Sequence, residues 1–420
     1  MVRRRPVIRT AGATSPRRWG IREKWQWTTL ILLALLPLIP TLDSPVSIVF
    51  GLSFGVLILK NLRTRPRYRT TPASTYLLAA FYFLSLISLI TATGQGTEFA
   101  VWLRGLIPFL FLTSYTCLQG FGSLDDLQDA LDGIQLAACI WAAKILVVCG
   151  PALIDVMTGQ LGRLTYASAD TLIPFGLIGY LVALTNPSPR FSRFRWPLLG
   201  LFAVLVVTCA YRSHLILCAL VTLAYLYRSG SIVLMRVVLA AAFAAFLAAV
   251  FAGDTVLALW SKIWIRFEIA INASDMGARG GEIQYAWGAF LKSPIWGNGL
   301  GHQVPVEVVH SNLNAADLEI ERESAGYIHN VVLYMLMDLG VPGLLAYSLF
   351  VLVPICRALK SLHRHDPVHD IQFSAMSTAA CLLIYTTCQA AFRLVQFNVV
   401  LGLLVAIVCV SEKLQGRPRK

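Results

Sequence analysis

Charge is what this chain has least of: Asp, Glu, Lys and Arg together make up 14% of its 420 residues, against 57% hydrophobic. A composition this apolar excludes an ordinary soluble domain of that length. Paired cysteine motifs are missing as well. The nine cysteines (Cys117, Cys139, Cys149, Cys209, Cys218, Cys356, Cys381, Cys388 and Cys409) all lie in or beside apolar runs, with no Cys-x-x-Cys and no zinc spacing. They exclude a disulfide framework and read as small packing residues. No convincing internal repeat exists, which argues against a transporter built on inverted repeats. The glycines at 297, 299 and 301 follow Pro294 rather than a strand, so they mark a tight turn and not a nucleotide site.

What the chain does have is apolar runs. A helix needs about 20 apolar residues to cross the hydrocarbon layer, and twelve segments qualify or nearly so: 26–42, 44–60, 74–93, 99–118, 133–155, 169–186, 196–211, 213–227, 231–253, 328–356, 371–391 and 394–411. The expected fold is therefore an all-α polytopic membrane protein with about twelve transmembrane helices. The net charge of +13 gives its orientation rather than a nucleic-acid partner, because 25 of the 35 Lys and Arg fall in segments that all share one side if the amino terminus is cytoplasmic. This divides the chain into a basic cytoplasmic segment 1–25, helices 1–9 over 26–253, a large periplasmic loop 254–328, helices 10–12 over 329–411, and a basic cytoplasmic tail 412–420. The basic leader before the first run looks like a signal peptide, but eleven further spans make it an uncleaved start-transfer helix.

The ten remaining basic residues run against that bias: Lys144 within the fifth span, and Arg104, Arg163, Arg212, Lys262, Arg266, Arg279, Lys292, Arg322 and Arg393 in the outer half. Outward arginines suggest an anionic ligand, since a guanidinium stays charged and can hold two phosphate oxygens at once. Arg212 is the sharpest. It and His214 interrupt an apolar run of 32 residues, Trp196 to Tyr227, which as one helix would overshoot a bilayer. Two short helices meeting at 210–214 would set Arg212 in a turn sunk toward the membrane, either to bind a ligand or to snorkel to the interface.

In the loop, Asp254 to Ile271 has the pattern of an amphipathic helix with Trp260, Trp264 and Phe267 at headgroup level. Arg279 and Gly280 stand just before a short helix whose apolar face is Ile283, Trp287, Phe290 and Leu291. Free N–H groups at such a helix start would favour an anion; a glycine-rich turn with a solvated arginine fits the same residues. The acidic stretch 304–324 would repel one. Then comes His329-Asn330, nine residues, and Gly340-x-x-Gly343, opening the tenth span. Histidine exchanges protons near neutrality and a polar group at that boundary needs a reason, so His329 is either a catalytic group or an interfacial side chain bonding a headgroup or its own helix. Arg104, Arg393 and His302 are weaker candidates, and Tyr285, Trp287, Trp296 and Tyr327 are packing residues or a sugar platform. On the cytoplasmic side, Ser123-Leu-Asp-Asp126 reads as a helix cap.

Arg212 at an outer turn, Arg279 with the following tryptophan-bearing helix and Pro294-Ile-Trp-Gly-Asn-Gly-Leu-Gly301, and His329-Asn330 with Gly340-x-x-Gly343 together resemble the O-antigen ligase and O-antigen polymerase superfamily. Ile216 stands where that family's arginine motif has leucine, and Tyr211 where serine often precedes the arginine. The resemblance implies a GT-C-like glycosyltransferase of the bacterial inner membrane, with both termini cytoplasmic and a periplasmic active site. It implies metal-independent, inverting transfer of a glycan from undecaprenyl pyrophosphate, with no cofactor. Arg212 and Arg279 would bind the pyrophosphate, His329 would be the catalytic base or orient the acceptor, and Gly280, Asn330, Gly340 and Gly343 would support them. The partners are the undecaprenyl-pyrophosphate-linked donor, an acceptor on lipid A core or on another lipid-linked glycan, and membrane lipids. A single large loop favours a ligase over a polymerase; a protein O-oligosaccharyltransferase and a transporter are further alternatives.

Overall fold

The structure is a computed structural model and describes residues 72–120, 123–157, 174–209, 212–230, 274–304 and 328–415, with isolated positions at 35–36, 51, 53, 55–56 and 261. The spans expected at 26–42, 44–60 and 231–253, the amphipathic helix expected at 254–271 and nearly all of the acidic stretch 304–324 lie outside the described residues, as do the side chains of Arg163, Lys262, Arg266, Arg322 and Tyr327. Among the described residues every regular element is helical. In chain order they are α1 (Pro72–Gly94), α2 (Phe99–Leu110), α3 (Leu124–Met157), α4 (Pro174–Thr185), α5 (Arg195–Cys209), α6 (Arg212–Ser229), α7 (Ser274–Lys292), α8 (Val331–Leu359), α9 (Pro367–Thr386) and α10 (Val395–Gln415). Short 3-10 segments at Phe111–Gly120 and Ala390–Arg393 follow α2 and precede α10.

Among the described residues five helical stretches are long and apolar enough to cross a membrane, namely α1, α2 continued by the 3-10 segment to Leu118, most of α3, α8 and α10, and three shorter apolar helices lie at Pro174–Thr185, Arg195–Thr208 and Ser213–Ser229. This is a helical membrane protein. Burial separates its layers: 89% of the apolar window of α10 is covered by protein but only 28% of that of α1, so α10 is the centre and α1 stands at the rim. The 3-10 segment lies tightly against α10, with Ser114 Oγ donating to Val399 O at 2.8 Å. A Cβ on Gly402 would sit 2.2 Å from that hydroxyl, so glycine is what permits the approach.

Local chemistry sets the ends of several helices. Ser123 and Asp126 form the reciprocal cap of α3, Asp126 N donating to Ser123 Oγ at 3.1 Å and Ser123 N to Asp126 Oδ2 at 3.0 Å. Asp366 caps α9, accepting from Val368 N and His369 N at 3.0 Å each, with Pro367 at the first helical position. The apolar run around Arg212 does divide: α5 ends at Cys209 and α6 begins at Arg212. At the far end of α6, Arg228 donates to Asp370 Oδ1, to Arg364 O at 2.8 Å and to His369 O at 3.4 Å, joining that end to the turn between α8 and α9. Lys144 is half-buried on α3.

α8 carries the decisive irregularity. At 29 residues it would measure about 43 Å as a straight helix, longer than a hydrocarbon layer of about 30 Å. It is not straight: Gly340 breaks it with φ 67° and ψ −170°, two residues before Pro342.

Candidate active site

His329 lies immediately before α8, and its neighbour Asn330 is the N-cap, accepting from Leu333 N at 3.1 Å. The His-Asn pair is thus a helix start that leaves the histidine on the end of the bundle. Across from it stands Glu282 of α7. Its carboxylate accepts from the His329 main-chain N–H at 2.9 Å and meets the ring Nδ1 at 3.0 Å through Oε1 and 3.2 Å through Oε2. The glutamate side chain is 6% exposed and the histidine 33%, so a buried carboxylate holds a ring that still reaches the surface.

The segment Pro294 to Gly301 explains how α7 is fixed there. It turns at the end of α7 and binds into the kink of α8: Asn298 N donates to Met337 O at 2.8 Å, Gly299 N to Asp338 O at 2.9 Å, and Val341 N to Pro294 O at 2.9 Å. Asn298 Nδ2 joins Ala289 O at 3.1 Å to Met337 O at 2.9 Å, so α7 runs parallel to the first turns of α8, with Glu282 level with His329 and Ala289 level with Met337. A Cβ on Gly340 would fall 2.3 Å from Ile295 O, and one on Gly297 2.3 Å from Asp338 O. Both also have φ near +67°, where side chains are strained. The Gly-x-x-Gly and the glycine-rich turn are therefore the two halves of one joint. The same turn reaches α1, where Leu300 N donates to Ser88 Oγ at 3.4 Å and Gln95 Nε2 to Asn298 Oδ1 at 2.9 Å.

The expected position of Arg279 is corrected. It does not precede a helix but lies within α7, one turn before Glu282, because the helix begins at Ser274. Gly280 is likewise inside α7, so its N–H belongs to the helix ladder and is not a free anion-binding group of a helix start. The apolar face of α7 is split: Phe290 is buried with Glu282, Ala286 and Ala289, while Ile283, Trp287 and Leu291 are 50%, 49% and 59% exposed. Glu282 is the residue that reading the sequence missed; the only available signal was its place one helical turn after Arg279.

Arg212 opens α6 and its side chain lies outside the described residues. Its backbone can still be placed. Arg228 at the other end of α6 binds the turn that follows α8, and the 16 helical steps from Arg212 to Arg228 span about 24 Å. Arg212 therefore sits at the same end of the bundle as His329, and Arg279 lies there too through Glu282.

Of the weaker candidates, His302 Nε2 is 3.1 Å from the Tyr285 hydroxyl, which also reaches Gln303 O at 3.2 Å. Burial, then the positive charge of Lys292, lowers the His302 pKa below its usual value, so the ring favours the neutral form. Burial, then the Asp338 carboxylate, raises that of Tyr285. Trp287 and Trp296 are about half exposed. Arg393 ends the 3-10 segment before α10 and, with Tyr334 and the Gly301 N–H, surrounds the fully buried Asp338. Arg104 is exposed on α2, beside the Gly105 that abuts Gly301. Among the described residues no three His, Cys, Asp or Glu side chains gather as a metal site.

A helical membrane protein with a carboxylate-held histidine on one end, and two arginines on helix segments at that same end, has the parts of a transferase acting at a membrane surface. Residues 196–348 match the family model Wzy_C, described as O-antigen ligase, and this match supports the O-antigen ligase and polymerase superfamily. The matched stretch runs from α5 to the middle of α8 and contains Arg212, Arg279, Glu282, His329, Gly340 and Gly343. No curated protein matches the chain in sequence. The family supports glycosyl transfer of the O-antigen ligase or polymerase type.

Proposed function

We propose that this chain transfers a glycan from undecaprenyl pyrophosphate to an acceptor hydroxyl at the periplasmic face of the bacterial inner membrane, as an O-antigen ligase using lipid A core. The observation that carries the reading is the His329–Glu282 contact at the bundle end that also holds the backbones of Arg212 and Arg279. The acceptor oxygen attacks the anomeric carbon while the bond from that carbon to the pyrophosphate oxygen breaks. His329 takes the hydroxyl proton, and the leaving pyrophosphate keeps the bonding electron pair. Arg212 and Arg279 stabilise the charge that accumulates on it. One displacement inverts the anomeric centre. A diphosphate so stabilised is already a good leaving group, and the step calls for no cofactor.

The test uses the full chain purified in detergent, an undecaprenyl-pyrophosphate-linked oligosaccharide, and rough lipopolysaccharide, with EDTA present. Ligation of glycan to lipopolysaccharide by wild type, lost in His329→Ala, is the expected result. Lengthened lipid-linked glycan in the absence of lipopolysaccharide would make the chain a polymerase. Transport of the donor, unchanged in His329→Ala and without any product, would overturn the enzyme reading.

A further inference from the structure

We propose that Glu282 is the positioning residue of this site: it fixes the tautomer and direction of the His329 ring so that Nε2 is the nitrogen that takes the acceptor proton. The inference rests on the reading of His329 as the base. Its warrant is the number and kind of bonds that converge on one buried carboxylate. An ionised carboxylate only accepts hydrogen bonds. Glu282 meets two His329 groups, the main-chain N–H at 2.9 Å and Nδ1 at 3.0 Å. The ring must therefore carry its proton on Nδ1, which leaves the lone pair on Nε2. The main-chain bond fixes the segment and the ring bond fixes χ, so one side chain sets both where the histidine is and which way it faces.

The carboxylate also suits the charge that the reaction creates. When Nε2 takes the proton the ring becomes an imidazolium, and its positive charge then lies 3.0 Å from Oε1 of a carboxylate that is itself 6% exposed. Poor screening there makes the attraction stronger than at a surface. The placement is rigid, because α7 is locked to α8 by Asn298 and by the glycine joint. It also couples two jobs: Arg279 lies one turn earlier on the same helix, so the element that aims the base also carries a proposed pyrophosphate ligand.

The experiment compares Glu282→Ala, Glu282→Gln and Glu282→Asp with wild type, His329→Ala and the double variant Glu282→Ala/His329→Ala, in the same ligation assay. General-base contributions are commonly about 10²–10⁴-fold. The expectation is a fall in kcat of about 10²-fold or more for Ala and Gln, with the donor KM within about threefold, and partial rescue by Asp. The double variant should be no slower than His329→Ala, since Glu282 acts only through the histidine. A structural role alone would lower the residual rate of His329→Ala further and would move kcat with melting temperature. If His329→Ala is inactive while a folded Glu282→Gln keeps wild-type kcat, the assignment of Glu282 falls and the functional reading stands. If His329→Ala keeps its rate, the functional reading falls. Nitrogen-15 NMR of the His329 ring at alkaline pH reads the tautomer without any substrate: the Nδ1–H form is expected in wild type and a mixture in Glu282→Ala. The Nε2–H form in wild type would overturn the proposal.

Discussion

Replacing Gly340 by alanine should disable this protein through a single methyl group. The backbone there has φ 67° and ψ −170°, a region reserved for glycine that costs other residues about 1–3 kcal/mol. The new Cβ would also lie 2.3 Å from Ile295 O, 2.6 Å from Ile295 C and 2.8 Å from Pro294 O. These are main-chain atoms, so no side-chain rotation can relieve the overlap, and the 294–301 turn has to withdraw. Withdrawal strains the bonds from Asn298 N to Met337 O, Gly299 N to Asp338 O and Val341 N to Pro294 O, each worth about 0.5–1.5 kcal/mol net. With the three bonds largely lost the destabilisation comes to about 2.5–7.5 kcal/mol, and about 3–6 kcal/mol is its central part. For a chain of this size that is a melting midpoint lower by about 4–8 °C, extending the trend of smaller shifts in longer chains. Because α7 leaves with the turn, ligation should fall more steeply than stability does. Differential scanning fluorimetry in detergent and the ligation assay measure the two effects. Gly288→Ala is the control: Gly288 is exposed within α7 with nothing near its Cβ position, and removing a mid-helix glycine should raise stability by about 0.5–1 kcal/mol. A Gly340→Ala protein that melts and works like wild type would refute the joint.

Asn330→Ala removes the side-chain oxygen that accepts from Leu333 N and should cost about 0.5–2 kcal/mol, with activity reduced because His329 is the next residue. Asn330→Ser should restore most of both, and equal melting of all three proteins would contradict the cap. His302 should contribute an acid sensitivity. Its folded pKa is lowered by burial, then by Lys292, so below the unfolded value of about 6.5 the unfolded chain binds the proton more readily than the folded one. Its effect on stability is absent above that pH and becomes a loss as pH falls through the window between 6.5 and the lower folded value. The melting midpoint of His302→Gln should drop less than that of wild type between pH 7.5 and 5.5, and parallel curves would remove His302 from the account.

Much of the scaffold was legible because a bilayer writes it plainly. The run 74–93 became Pro72–Gly94, 394–411 became Val395–Gln415, and the division around Arg212 followed from one length argument. The 3-10 turns at Phe111–Gly120 and Ala390–Arg393 were not visible, since they continue apolar runs without any change in composition.

The site was legible only in part, for a physical reason shown best by α7. In water an apolar stripe marks the buried face of a helix. Of the apolar face Ile283, Trp287, Phe290 and Leu291, only Phe290 is buried, and it is joined by the small residues Ala286 and Ala289. Those small residues are buried with Glu282, which finds its partner on the neighbouring segment, while Ile283, Trp287 and Leu291 stay on the outer face. The Glu282-Ala286-Ala289 face is the contact surface of α7, and the one acidic group on it meets a donor at the start of the neighbouring helix. Its partner is 47 residues away in sequence, so no local pattern could name it. His329 was conspicuous because it stands at a boundary, and Gly340 because it belongs to a motif; Glu282 becomes significant only when α7 and α8 are seen side by side. The same argument explains why the glycines were legible as a tight turn but not as a joint: what fixes them passes within 2.3 Å on the facing chain.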